Sequence, residues 1–244
     1  MRRFFLAGFL PFAALAVFFA PSARAQSLPN VTIDDFTAGP ATVSIAGAKQ
    51  TAEITKQVKQ SGAHAHILGG GRLTSLELLL GNNVFLQNAD ITIAEAHGTA
   101  PAAVVFGQGF GVDALFGLNY GSARGPGSAS FHANFTGYDR FRVHFIGISA
   151  GIDMNILAYT GAAYTQWGCN IPGLLVPTVV DFPFVNGSPG LAGSGGGANL
   201  AALDGLLFES ENESVQASAL GISLIEIVPA GTPAGDITCP PIGG

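Results

Sequence analysis

Gly147-Ile148-Ser149-Ala150-Gly151 fits G-x-S-x-G, the turn that presents a nucleophilic serine in α/β-hydrolases. That chemistry needs a strand, a sharp turn and a helix, then an acid and a histidine later in the chain. Here the residues after Ser149 alternate as a strand, and the last histidine, His144, precedes the serine, so the motif reads as a small-residue turn. His64 and His66 would face the same way on a strand, a spacing zinc sites use. The further ligands zinc needs are not in any recognisable motif, because His97, His132 and His144 stand apart; ordinary hydrogen-bonded histidines are expected. Glu209, Glu211 and Glu213 share a strand parity and repel one another, which reads as an exposed edge or loop. Glycoside hydrolysis needs two acids facing across a cleft, and no acid here sits in a recognisable catalytic motif. Gly193–Gly197 lacks the Lys-Ser/Thr of a phosphate loop.

Sugar recognition asks for something different: an aromatic face against the apolar side of the ring and planar polar groups for its hydroxyls. Arg140, Arg142, His144, Asp153, Asn155 and Tyr159, with the single tryptophan Trp167, are the candidate ligand-binding residues. Each also has a plain structural role open to it. The arginines and aspartate can pair across strands, and Trp167 can cover the core beside a disulfide.

Most of these groups lie in Asp139 to Tyr159, DRFRVHFIGISAGIDMNILAY. Phe141, Val143 and Phe145 alternate with Arg140, Arg142 and His144. After Gly147–Gly151, Ile152, Met154, Ile156 and Ala158 alternate with Asp153, Asn155 and Tyr159. Period two on both sides of a small-residue turn predicts a hairpin with one buried and one polar face. Further strand signals fall at Val31–Phe36, Val43–Ile45, Thr51–Lys59, Leu73–Leu80, Asn83–Leu86, Ala89–Ala96, Ala102–Phe106, Val112–Tyr120, Tyr164–Trp167, Leu174–Phe184, Leu200–Ser210 and Gly221–Val228. Gly121–Ser130 and Asn186–Gly197 read as Gly/Ser/Pro loops. Short strands, Gly-rich turns and no βα alternation predict an all-β chain folded as a two-sheet antiparallel β-sandwich. The composition agrees: 34 glycines and 18 phenylalanines against only 11% charged residues suit buried strands joined by many turns.

The chain opens MRRFFLAGFLPFAALAVFFAPSARA: two arginines, an apolar run, then Ala23-Arg24-Ala25. This is the order of a secretory signal peptide, with cleavage expected before Gln26 and a secreted or periplasmic product that keeps no membrane span. The expected organisation is residues 1–25 as signal peptide, 26–228 as the β-sandwich and 229–244 as a Pro/Gly-rich tail. Removing Arg2, Arg3 and Arg24 leaves 7 basic residues against 16 acids, a balance of −9 with scattered cations. That gives no footprint for nucleic acid or anionic lipid. Cys169 and Cys239, the only cysteines, are expected to pair in an oxidising compartment.

The N-terminal IDDF, Gly70-Gly71-Arg72 leading into a strand, the 139–159 stretch, the DFPF segment and a C-terminal LDGLLFES…SLIEI together resemble bacterial secreted proteins with a galactose-binding-like jelly roll. Many of that set carry a PEP-CTERM-type sorting anchor, from which this sequence departs. The resemblance implies a jelly-roll form of the sandwich. It also implies a structural calcium where first and last strands pair, which brings Asp34, Asp35 and Glu226 into view as ligands. The function expected is exported, non-catalytic binding of carbohydrate or an extracellular polymer. The alternative is a structural or interaction protein of the envelope or matrix without a small ligand, and after it an extracellular hydrolase built from dispersed acids.

Overall fold

Alternation of apolar and polar residues along strands such as Ala89–Ala94, Tyr138–Ile148, Ile152–Thr160 and Ala163–Ile171 buries one face of each, the central strands Gly71–Leu78, Ala114–Gly121 and Gly205–Glu211 are buried on both, and two sheets pack their apolar faces together. The computed structural model describes residues 28–46, 53–79, 87–121, 131–189, 197–211 and 217–241. The N-terminal export pattern and the strand expected at Asn83–Leu86 lie outside them, as do nearly all of the 121–130 loop and residues 190–196. Sheet A holds β1 (Val31–Asp34), β2 (Ala41–Ile45), β5 (Ala89–Ala94), β6 (Ala103–Gln108), β8 (Tyr138–Ile148), β11 (Thr178–Pro183), β14 (Ser218–Pro229) and β15 (Ile237–Thr238). Its order is β15-β11-β8-β14-β6-β5-β2, with β1 also paired to β14. Sheet B holds β3 (Ile54–Ser61), β4 (Gly71–Leu78), β7 (Ala114–Gly121), β9 (Ile152–Thr160), β10 (Ala163–Ile171), β12 (Ser188–Pro189) and β13 (Gly205–Glu211), in the order β12-β10-β9-β13-β7-β4-β3. Every pairing is antiparallel except that of β11 with β15. The protein is a two-sheet antiparallel sandwich of jelly-roll type.

The hairpin expected between residues 139 and 159 does not form. β8 pairs with β11 and β14 in sheet A, whereas β9 pairs with β10 and β13 in sheet B. The small residues 147–151 therefore carry the chain from one sheet to the other. Alternation is satisfied equally by a hairpin and by such a crossover, since both leave one face of each strand on the core. The true hairpin is β9–β10, with Thr160 opposite Ala163 and Gly161 at φ 58° as the first of two loop residues. Positive φ at that position is what a two-residue II′-type turn requires, and glycine adopts it without strain.

Between the sheets lie Phe106, Phe116, Phe141, Phe145, Phe182, Phe208 and Trp167, all buried. Trp167 meets Phe141 edge to face with ring centroids 5.1 Å apart. Cys169 on β10 is bonded to Cys239, just after β15, so the disulfide ties sheet B to the outer edge of sheet A. The Pro/Gly-rich tail is thus an integral part of the sandwich through residue 239.

Candidate functional site

Because β8 and β9 belong to different sheets, their polar residues point to opposite sides of the molecule. On the outer face of sheet A, Asp181 of β11 is opposite Arg142 of β8 and its side chain is fully buried. Its carboxylate accepts hydrogen bonds from Arg142 Nε at 2.7 Å, Arg142 Nη2 at 3.0 Å, Arg140 Nη1 at 3.2 Å and the Gly235 amide at 2.7 Å. Burial pushes the Asp181 carboxyl up, but these donors outweigh it and hold it below the ordinary carboxylate value. The same guanidinium groups donate to the carbonyls of Thr232 at 2.9 Å and Pro233 at 2.6 Å. Arg140 and Arg142 therefore fasten the C-terminal segment to the sheet. Beside them His144 Nε2 lies 3.0 Å from Glu226 Oε1, and Asn30 donates to Glu226 Oε2 at 2.9 Å. Glu226 too is held below its ordinary value, its partial burial being outweighed by His144 and Asn30.

The acids expected to hold calcium do not gather into one donor set. Asp34 is fully buried in an ion pair with Arg72, which is itself buried, and accepts from Tyr120 Oη at 2.8 Å and from the Phe36 amide at 2.8 Å. A second cation beside a guanidinium is electrostatically unfavourable, so this carboxylate does not fit a metal ligand. Burial is the dominant influence on Asp34 and pushes its carboxyl up, against Arg72 and its hydrogen bonds. Asp35 pairs with His66 Nδ1 at 2.6 Å and accepts from Thr37, which keep it below its ordinary value despite partial burial. Among the described residues no group of three or more His, Cys, Asp or Glu side chains is arranged to hold a metal ion. Arg72 also donates to Gln60 Oε1 and the Ala38 carbonyl and lies over the Phe36 ring at 5.2 Å, so the Asp34–Arg72 pair clasps sheet A to sheet B. Phe36 sits at φ 58°, an uncommon conformation for a residue with a side chain, where this clasp holds the turn.

Ser149, the centre of the G-x-S-x-G match, accepts a hydrogen bond from the Ala219 amide through Oγ and donates its own amide to the Ala219 carbonyl, each at 2.8 Å. It closes the crossover onto β14. His64 and His66 occupy the bend after β3, not a strand. Trp167 is only 2% exposed, and a Cβ on Gly187 would lie 2.5 Å from its ring, so it is core and offers no stacking face. Glu209 is no edge residue either: β13 runs between β9 and β7, and Glu209 is buried beside Asn155. Glu213 lies outside the described residues.

The outer face of sheet B collects the rest of the predicted set. Asp153, Asn155 and Tyr159 alternate with buried Ile152, Met154, Ile156 and Ala158. Across the hairpin, Tyr164, Gln166 and Asn170 alternate with Trp167, Cys169 and Ile171. Tyr159 and Tyr164 are in register and their rings lie 5.7 Å apart at 33°, both half-buried. Below them Gln166 Nε2 donates to Asn155 Oδ1 at 3.1 Å, and Asn170 Nδ2 donates to Asp153 Oδ1 at 2.8 Å. The face thus presents two phenol rings above a ladder of two amides, a carboxylate and a third amide. Tyr164, Gln166 and Asn170 were not in the predicted set. Their period-two spacing against Trp167, Cys169 and Ile171 is the signal that places them outward.

No family model matches the chain, and no curated protein does. Among solved structures it is similar to the family 11 carbohydrate-binding module from Clostridium thermocellum in complex with a β-1,3-1,4-mixed-linked tetrasaccharide, at 11% identity and TM-score 0.45, over 82% of this chain and 96% of that one. It is similar also to the family 11 module of the cellulosomal cellulase Lic26A-Cel5E of Clostridium thermocellum, at 10% identity and TM-score 0.45, over 84% and 96%. The structure of PfGH50B overlaps at 9% identity and TM-score 0.35, over 59% of this chain and 22% of that chain. Likenesses this distant carry no functional argument, and none supports kinship with PEP-CTERM-type proteins. Among the described residues no helix is long and apolar enough to cross a membrane.

Proposed function

We propose that this protein is an exported, non-catalytic glycan-binding module and that it holds its ligand on the outer face of sheet B. The observation that carries the reading is the half-buried tyrosine pair, Tyr159 and Tyr164, above the Gln166–Asn155 and Asn170–Asp153 ladder. Phenol rings cover the apolar face of a sugar, while amides and a carboxylate, which donate and accept in fixed planes, satisfy its hydroxyls. The two remaining predicted faces are otherwise engaged, Trp167 in the core and Arg140 and Arg142 on the C-terminal segment. Export is supported by the N-terminal pattern and by the Cys169–Cys239 bond, which suits an oxidising compartment. The test is retention of the purified protein on a panel of soluble and insoluble polysaccharides, with calcium and with chelator, for the natural chain and for Tyr159→Ala/Tyr164→Ala. Selective retention lost in the double variant supports the reading. Retention on none of the panel sinks it in favour of an envelope or matrix interaction protein. Turnover of the polymer, lost on replacing an acid, revives a hydrolase. Retention abolished by chelator restores a calcium to the account.

A further inference from the structure

The loop between β10 and β11 reads Pro172-Gly173-Leu174-Leu175-Val176-Pro177. It is pinned to the end of β8. The Ile148 amide donates to the Leu174 carbonyl at 2.9 Å and the Leu174 amide to the Ile148 carbonyl at 2.8 Å, while Thr178 Oγ1 donates to the Val176 carbonyl at 2.9 Å. Two aliphatic side chains of this fixed loop nevertheless face solvent, Leu175 at 94% exposure and Val176 at 65%. Apolar side chains held in place gain by burial, and at these exposures the fold does not supply it.

Beside this knob the outer face of sheet A has a hollow of about 360 Å³, lined by Val105, Ile146, Gly147, Leu174, Leu175 and Gly221, among others. Gly221 of β14 is in register with Val105 on one side and Gly147 on the other, and two adjacent glycines leave the depression. A Cβ on Gly221 would lie 2.4 Å from Ile146 Cγ1, so glycine there is what lets Ile146 lie over β14. Val105 and Ile146, each 38% exposed, form the walls. Among the described residues none that lines the hollow is charged.

Knob and hollow sit side by side on one surface. That is the arrangement a two-fold contact needs, because each copy can then insert its Leu175 into the other's hollow. Charge permits the contact here. The chain carries −6 at pH 7, so two copies repel on approach, and a contact made through uncharged side chains buries no unpaired charge. Area sets its strength: the exposed parts of Val105, Ile146, Leu175 and Val176 fall short of the roughly 800 Å² per partner of a standard interface, which makes the contact weak and reversible. We infer that this patch is a self-association surface, on which a second copy of this chain docks with Leu175 in the hollow to form a weak two-fold dimer. The contact is on sheet A, so it leaves the tyrosine pair on sheet B uncovered.

The experiment follows sedimentation of the purified protein from micromolar to millimolar concentration, at low and at high salt. The expected result is a reversible monomer–dimer equilibrium that strengthens with salt, as repulsion between like-charged copies is screened. Leu175→Asp and Val105→Lys, both at solvent-facing positions, should each weaken it at least about tenfold. An equimolar mixture of the two variants should recover the dimer. In the mixed pair the new carboxylate of one copy meets the new ammonium of the other, and the second contact is native. Both variants should keep the natural thermal stability and polysaccharide retention. A monomer at every concentration overturns the inference, as does a dimer that neither variant weakens or that mixing does not recover. Co-sedimentation of the monomer with phosphatidylcholine vesicles, lost in Leu175→Asp, overturns it too and assigns the patch to a lipid surface. Because polysaccharide retention is read separately, the dimer and the tyrosine face can fail independently.

Discussion

The two outer faces of the sandwich carry polar residues of similar type and put them to opposite uses. On sheet A, Arg140, Arg142, Asp181, His144 and Glu226 spend their hydrogen bonds on one another and on the C-terminal segment. On sheet B, Asp153, Asn155, Gln166 and Asn170 make single side-chain contacts, leaving further donor and acceptor capacity beside two tyrosines. What separates them is the company each strand keeps. On sheet A, residues 232–235 pass close enough to accept from Arg140 and Arg142 and to donate to Asp181, whereas on β9 and β10 of sheet B the described polar side chains pair with one another beside the half-buried Tyr159 and Tyr164.

Removing the disulfide should have the largest effect. Cys169→Ala/Cys239→Ala frees a loop closed over a separation of 70 residues, and loss of that constraint is expected to cost about 4 kcal/mol in a denaturant melt. If sheet A is held by fasteners, glycan retention of the still-folded fraction should not change.

Asp181→Ala comes next. It leaves the largely buried Arg142 guanidinium without its paired carboxylate and Arg140 with Asp139 alone, at an expected cost of about 3 kcal/mol by chemical denaturation, again with retention intact. A variant that loses retention while keeping stability would break the contrast between the faces.

Tyr159→Ala/Tyr164→Ala should behave in the opposite way. Each ring contact is worth roughly 1 kcal/mol to a ligand, so retention should fall at least tenfold. Stability should move by less than 1 kcal/mol because both rings lie on the surface. Equal losses of stability and retention would make the pair structural.

The smallest effect is on pH dependence. Asp181 and Glu226 have folded-state values lowered from their ordinary ones. Their contribution is present above the ordinary carboxylate range, near pH 4, and is lost as pH falls through that range and below it. Asp34, whose value is raised, acts with the opposite sign: its stabilising proton is bound first in the folded state, so stability rises as pH falls through its own titration. Melts across the acid range should show a decline that Asp181→Asn makes shallower. An unchanged slope in that variant would remove Asp181 from the fastening.

Much of this was open to reading in the residues. Period-two alternation marks which side chains of β8, β9 and β10 face the core, and on β10 it already sets Trp167 inward with Cys169 and Ile171. The residue type of Trp167 suggests a binding group, but its parity sets it in the core. Glu209 differs from its expectation for a related reason: three acids at one parity suggest an edge, but whether a strand is central depends on its neighbours, here β9 and β7. The clasp of Asp34 with Arg72 and Tyr120 joins residues 38 and 86 positions apart, and no local pattern announces it.

By itself the sequence determined the all-β class, the inward faces of the strands and the one possible disulfide, because alternation, glycine content and a count of two cysteines are local or compositional properties. Only the tertiary structure decided which sheet each strand joins. A strand with one apolar face is equally stable in either layer, and its partners are chosen by the summed packing of distant segments. That choice sent Arg142 and Asn155, thirteen residues apart, to opposite surfaces, and so decided that Arg142 fastens the C-terminal segment while Asn155 pairs with Gln166 on the far sheet.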